Sequence, residues 1–154
     1  MNTITRLPGD RPRHPCTVAT TAGVATDTAH QAVAPAVHLS ATYGWRDPCE
    51  KPAFDYSRSG NPTRQQLEQA LAELEGAARG IVTATGMAAV DLPLNLVNPG
   101  DTVLAPHDCY GGTHRLLSAR ARRGHFNLIL VDQTDQAALE EAFQAKPKLV
   151  LIET

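Results

Sequence analysis

The chain has 154 residues, 42% of them apolar and 19% charged, with 14 basic against 16 acidic side chains and a formal charge of -2. That length suits one compact domain with an added arm, and the composition is too apolar for a disordered chain and too evenly polar for a membrane protein. The near-neutral charge speaks against a broad surface for nucleic acid or anionic lipid, so no polyanion partner is expected.

Residues 1–60 are rich in Thr, Ala and Pro and carry few helical or strand periods, which predicts an extended arm. Its first fifteen residues hold Arg6, Asp10, Arg11 and Arg13 among three prolines, without the apolar core of a secretory leader. At Asn61 the pattern sharpens. Asn61 suits a helix N-cap and Pro62 the first helical position, and Leu67, Ala70, Leu71 and Leu74 recur at helical spacing up to Gly76. An amphipathic helix over roughly 62–75 follows.

Beyond it, short apolar runs alternate with helical stretches. Ile81-Val82 reads as a strand leading through Thr85-Gly86 into a helix near 87–97, and Pro99-Gly100 turns the chain into a strand over 102–105. A basic helix follows Gly111-Gly112 and ends near Arg123-Gly124. Residues 127–131 form a strand, 136–145 a helix and 149–152 a last strand. Continuously apolar strands separated by helices predict an α/β domain over 61–154, with a mostly parallel sheet covered by helices. The chain stops at Glu153-Thr154, just past a strand that reads as central, so it is expected to be the front part of a longer domain.

Three segments carry candidate chemistry. In Thr83-Ala84-Thr85-Gly86-Met87-Ala88-Ala89, the backbone N–H groups at a helix start have no internal partners, so a phosphate can dock there with Gly86 allowing close approach. The bland alternative is that Gly86 only relieves crowding between strand and helix. The segment is neither a Walker A loop nor a GxGxxG fingerprint, so a nicotinamide dinucleotide is not supported. In Tyr56-Ser57-Arg58-Ser59-Gly60-Asn61-Pro62-Thr63, Arg58 offers a planar fork for phosphate or carboxylate and Tyr56 a phenol donor, against a plain capped helix start with a surface arginine. In His107-Asp108-Cys109-Tyr110-Gly111-Gly112-Thr113-His114-Arg115, Tyr110 could stack on a flat ring and its hydroxyl could handle a proton.

Other chemistries find little support. His107, Cys109 and His114 lack the partner pair of a zinc site, so no metal is expected. There is no GxSxG elbow and no basis for a nucleophile triad. Cys16, Cys49 and Cys109 are odd in number and widely spaced, which predicts free thiols in a reducing cytoplasm.

Together, in this order, the three segments resemble the Cys/Met-metabolism family of pyridoxal-phosphate enzymes. The resemblance runs from about Thr17 to Thr154. It takes in Asp27-Thr28 and Ala34-Pro35-Ala36-Val37-His38-Leu39-Ser40-Ala41-Thr42-Tyr43 as well as the three segments. It implies a fold-type I large domain, represented by its first part, and pyridoxal 5'-phosphate as cofactor. Gly86 and Met87 would offer N–H groups to the cofactor phosphate beside Thr85. Tyr56 and Arg58 would reach that phosphate from a neighbouring subunit, in a dimer within a homotetramer. Tyr110 would stack on the pyridine ring and serve catalysis, Arg115 would place the substrate, and Asp55 would border its entrance.

The stretch from His107 to Arg115 looks most like the branch that forms cystathionine by γ-replacement, from an O-acylhomoserine and cysteine, in methionine biosynthesis. The alternatives are the family's γ- and β-lyases, or a non-catalytic short partner of a full-length relative. Glu153-Thr154 matches the start of a Glu-Thr-Pro-Ser-Asn-Pro run. The family's cofactor-bearing lysine, and the aspartate that pairs with the pyridine nitrogen, fall beyond Thr154. Of the 14 basic residues only Lys51, Lys146 and Lys148 are lysines. All three read as surface residues, so this chain alone is expected to be inactive.

Overall fold

A computed structural model describes residues 13–153. The chain divides into two compact units, residues 1–82 and 83–154.

The first unit is built on two helices, α1 (Pro15–Thr21) and α2 (Pro62–Leu74). α1 lies within the stretch expected to be an extended arm. Pro15 opens it, His14 caps it through its ring nitrogen on the Cys16 N–H, and Val18 supplies its one buried side chain. Three β-branched threonines and a short span give α1 a weak intrinsic signal. It is held from outside: the Arg13 guanidinium grips Glu73 of α2 with two bonds of 2.6 and 2.8 Å.

Asn61 organises the rest of this unit. Its Oδ1 accepts from the Thr63 and Arg64 N–H groups at 2.9 and 3.3 Å, which caps α2 as its sequence predicts. Its Nδ2, with two N–H bonds, lies 3.0–3.1 Å from three acceptors, the His38 carbonyl, the Tyr43 hydroxyl and the Ser57 hydroxyl. One side chain thereby ties the helix start to two strands of loop, which also meet at an antiparallel bridge between Thr42 and Tyr56. The apolar stripe of α2 is not buried as expected: Leu67 is 50% and Leu71 43% exposed, and only Ala72 is buried on this helix. The periodicity is real, but the described residues do not cover that face.

The expected strand at Ile81-Val82 is also absent. Gly80 presses onto α2, where an added Cβ would come within 2.5 Å of the Glu68 carbonyl oxygen. The Val82 N–H then donates to the Glu68 carboxylate rather than to a ladder, and Ile81 is 70% exposed.

The second unit is a parallel sheet between helices. Its elements are α3 (Gly86–Asp91), a 3-10 turn (Pro93–Leu96), β1 (Thr102–Pro106), α4 (Gly111–Arg122), β2 (Asn127–Val131), α5 (Gln136–Phe143) and β3 (Leu149–Val150). The helix expected near 87–97 is divided at Pro93, which has no N–H to offer the ladder and cannot follow a helical turn without a break. The strand order is β2-β1-β3, all parallel, with Thr102 opposite Asn127 and Val103 opposite Leu149.

The middle strand explains the continuously apolar pattern. Val103, Leu104 and Ala105 are each fully buried. Val103 and Ala105 join Leu94, Leu117 of α4 and Phe126, whereas Leu104 joins Val131 and Ala142 of α5. Alternate side chains of one strand thus enter two cores on opposite sheet faces, the layering expected of an α/β domain. Among the described residues no helix is long and apolar enough to cross a membrane.

Candidate functional site: a cavity at the carboxyl ends of the strands

In a parallel sheet all strand ends of one kind lie together, and the loops beyond the carboxyl ends are free to build a site. Here the loop after β1 runs through His107–Tyr110 into α4, and the chain after β3 brings Glu153 to the same end. Together with the start of α3 they surround a cavity of about 390 Å³, lined by Thr85, Gly86, Met87, Val90, Tyr110, Thr113 and Glu153. This volume falls within the range of about 300–1,000 Å³ usual for small-molecule sites.

The start of α3 offers backbone groups that could hold an anion. Thr85 is the N-cap, its hydroxyl oxygen accepting the Ala88 N–H at 3.1 Å. Gly86 and Met87 occupy the first two helical positions, whose N–H groups have no carbonyl to meet within the helix. A Cβ on Gly86 would find no protein atom within 4 Å. It would stand in open cavity, where an anion would otherwise approach the backbone.

Tyr110 supplies the opposite part. It is the N-cap residue of α4, with φ -46° and ψ 134°, and its side chain makes no cap bond. The residue is 63% exposed and lines the cavity. Its N–H donates to Glu153 Oε2 at 2.9 Å. Next to it, Cys109 is half-buried, and burial pushes its thiol above the ordinary range, with the Glu153 and Asp108 carboxylates adding to the effect. A partly buried ion pair joins the two helices that bear the site: Arg120 Nη2 lies 2.6 and 2.7 Å from the oxygens of Asp91.

The expected site residues therefore fall in two groups. Thr85, Gly86, Met87 and Tyr110 converge on the cavity of the second unit. Arg115 stands one turn into α4, exposed, outside the cavity lining. Tyr56, Arg58 and Asp55 belong to the first unit. There the Arg58 guanidinium lies 5.1 Å from the centre of the Tyr56 ring, a cation–π contact that leaves its N–H donors available to an anion. Asp55 accepts from Lys51 at 3.1 Å and from the Tyr56 N–H at 2.8 Å, and Lys51 is the first cause holding its carboxyl below the usual range.

Sequence reading gave no role to Thr113, Val90 or Glu153 at the cavity. Thr113 sits on the buried face of α4, and its place one turn after Tyr110 was the available signal. Glu153 lies 43 residues from the N–H it binds, beyond the reach of any local pattern. Among the described residues no three His, Cys, Asp or Glu side chains gather as a metal site would require.

The sequence profile described as "Cys/Met metabolism PLP-dependent enzyme" matches residues 16–154. The chain belongs to this family. The Cys/Met metabolism family depends on pyridoxal 5'-phosphate, and the cavity suits that cofactor, with free N–H groups and an open glycine for a phosphate and an exposed tyrosine for a ring. Cystathionine γ-synthase of Escherichia coli strain K12 is 47% identical over 143 residues, covering 92% of this chain and 37% of that protein. A cystathionine β-lyase of Lactococcus lactis subsp. cremoris is 36% identical over 132 residues, covering 86% and 35%. Among solved structures, cystathionine γ-synthase from Xanthomonas oryzae pv. oryzae, in complex with aminoacrylate and cysteine, superposes with a TM-score of 0.89 at 50% identity. It covers 94% of this chain and 38% of that one. The chain thus spans less than two-fifths of the length of these relatives.

Proposed function

We propose that this chain is the phosphate-anchoring and ring-stacking part of an enzyme that forms cystathionine by γ-replacement, from an O-acylhomoserine and cysteine. The observation that carries the reading is the convergence of the Gly86 and Met87 N–H groups and the Tyr110 ring on one cavity. The choice of γ-replacement over β-elimination is supported by an identity of 47% to the Escherichia coli γ-synthase, against 36% and 43% to the β-lyases of Lactococcus lactis and Schizosaccharomyces pombe.

When bound, pyridoxal phosphate supplies an electron sink for carbanion chemistry at an amino-acid substrate. The chain's own residues perform the holding. Thr85, Gly86 and Met87 receive the phosphate, with the α3 dipole favouring its charge. Tyr110 covers a face of the ring and offers a hydroxyl that can hold a proton at the substrate side. Arg58, pre-oriented on the Tyr56 ring, neutralises a phosphate presented by another subunit of a homotetramer. Arg115 and Asp55 contact the acyl-homoserine on its way in.

In the second unit neither Lys146 nor Lys148 lines the cavity, and the role read for this stretch is to hold the cofactor. The chain works in the cytoplasm, in methionine biosynthesis.

The test has two arms. The chain is titrated with pyridoxal phosphate and reduced with borohydride; saturable binding with no stoichiometric pyridoxyl-lysine is expected. The chain is also fused in frame to the remaining length of the Escherichia coli relative and assayed with O-succinyl- or O-acetylhomoserine plus cysteine. Cystathionine formation is expected, whereas a fusion that only cleaves cystathionine would replace the synthase reading with the lyase one.

A further inference from the structure

Tyr110 stands largely in the open at the site, with 63% of its surface exposed. An exposed tyrosine gives up rotamer freedom only where neighbours hold it, and three observations show what holds this one. First, α4 starts without a side-chain cap from its own N-cap residue. The bond that closes the helix entrance comes from Glu153, whose carboxylate accepts the Tyr110 N–H at 2.9 Å. A bond from an ionised acceptor at a helix start is stronger than a neutral one and gains from the helix dipole. Second, a Cβ on Gly112 would lie 2.4 Å from Tyr110 Cε1, 3.0 Å from Cδ1 and 2.9 Å from Met87 Sδ. The ring and the thioether therefore crowd the bare Cα of Gly112. Third, Gly112 has a helical backbone, so glycine is needed there for space alone, and alanine would favour the helix. Its neighbour Gly111 differs: a Cβ there would meet only the tip of Arg115, at 3.4 Å.

We infer that Glu153 and Gly112 are positioning residues for Tyr110, the first fixing its backbone from the end of β3 and the second seating its ring against Met87. The inference rests on the reading of Tyr110 as the residue that faces the cofactor ring. Its consequence is that the loop after β3 and the loop after β1 are set together. A change at Glu153 alters the tyrosine without touching it, and Gly112 decides where the ring lies without bearing any chemistry.

The experiment uses the isotope-labelled chain and the variants Glu153→Ala, Glu153→Gln, Gly112→Ala and Gly111→Ala. In Glu153→Ala the Tyr110 amide is expected to exchange with solvent about tenfold faster or more, and Glu153→Gln, which keeps an acceptor oxygen, restores most of the protection. The alkylation profile of Cys109 shifts to lower pH in both Glu153 variants. In Gly112→Ala the amide keeps its protection, but the nuclear Overhauser contact between the Tyr110 ring and the Met87 methyl disappears; Gly111→Ala preserves both. Unchanged amide exchange in Glu153→Ala, or a surviving ring contact in Gly112→Ala, overturns the inference.

Titrations then separate it from the reading beneath. Pyridoxal phosphate is expected to bind Glu153→Ala and Gly112→Ala at least fivefold more weakly, with inorganic phosphate unaffected. If the unsubstituted chain binds neither probe, the cofactor reading fails while the exchange and contact data still decide the positioning roles.

Discussion

Cutting the ion pair between Asp91 and Arg120 should loosen α3 from the helix that carries Tyr110. Asp91 ends α3 and Arg120 lies in the last turn of α4, with side-chain exposures of 35% and 25%. At an effective dielectric of about 20, unit charges about 4 Å apart attract by about 4 kcal/mol, before desolvation and side-chain ordering are subtracted. Exposed pairs retain about 0–1 kcal/mol and breaking a fully buried pair costs about 3–5 kcal/mol, so this half-buried pair should contribute about 1–2 kcal/mol. Asp91 also stands at the negative end of α3, where an unpaired carboxylate is disfavoured. Arg120→Met should therefore cost more than Asp91→Asn.

The assay is native-state hydrogen exchange at the Ala89 and Leu92 amides, which bond the Thr85 and Ala88 carbonyls at 3.1 Å. It is run on both single variants and on the double variant. Exchange about five- to thirtyfold faster in Arg120→Met, with a coupling of about 1 kcal/mol across the cycle, fits the reasoning. Exchange at both amides within about twofold of the unsubstituted chain in every variant would refute it.

Two further outcomes follow from local geometry. Asn61→Ala removes the α2 cap and the bonds its Nδ2 donates together, and should cost about 2 kcal/mol in urea unfolding followed by the fluorescence of Trp45; Asn61→Asp, which caps but cannot donate, should fall between. The Asp132 carboxyl is held below its usual range, first by the Thr134 hydroxyl, at 2.6 Å, and then by the Thr134 N–H. A depressed carboxylate stabilises the fold above the ordinary carboxylate range and loses that contribution as pH falls through its folded value. Thr134→Val should raise the Asp132 titration in a carbon-detected NMR series and move the acid limb of stability to higher pH.

Elements with a complete local signal were readable from the sequence. β1 and β2 are apolar runs bounded by turns, α2 has its cap and proline, and α4 begins at Gly111 after a strand. Two features escaped because another part of the chain decides them. α1 depends on Arg13 gripping Glu73, sixty residues away. The residues before Thr83 do not pair as a strand because Glu68 takes the Val82 N–H. The break at Pro93 was legible in principle, since proline inside a helical period predicts it. At the site, the glycine and tyrosine could be named from motif chemistry, while Glu153 became visible only when the sheet brought two distant loop ends together.

The strand order has a consequence for how this sheet is made. β1, the middle strand, precedes both of its neighbours in the sequence. As the chain emerges during synthesis, the template is present before either flank arrives. β2 aligns on it across α4, and β3 later aligns on its other side across α5, with the Lys148 N–H meeting the Thr102 carbonyl at 2.8 Å. Each alignment is an independent choice against the same apolar strand, so an error at one flank need not propagate to the other. Growth from the centre outward also shields Val103, Leu104 and Ala105 early, limiting the time in which this apolar strand stands open to other molecules.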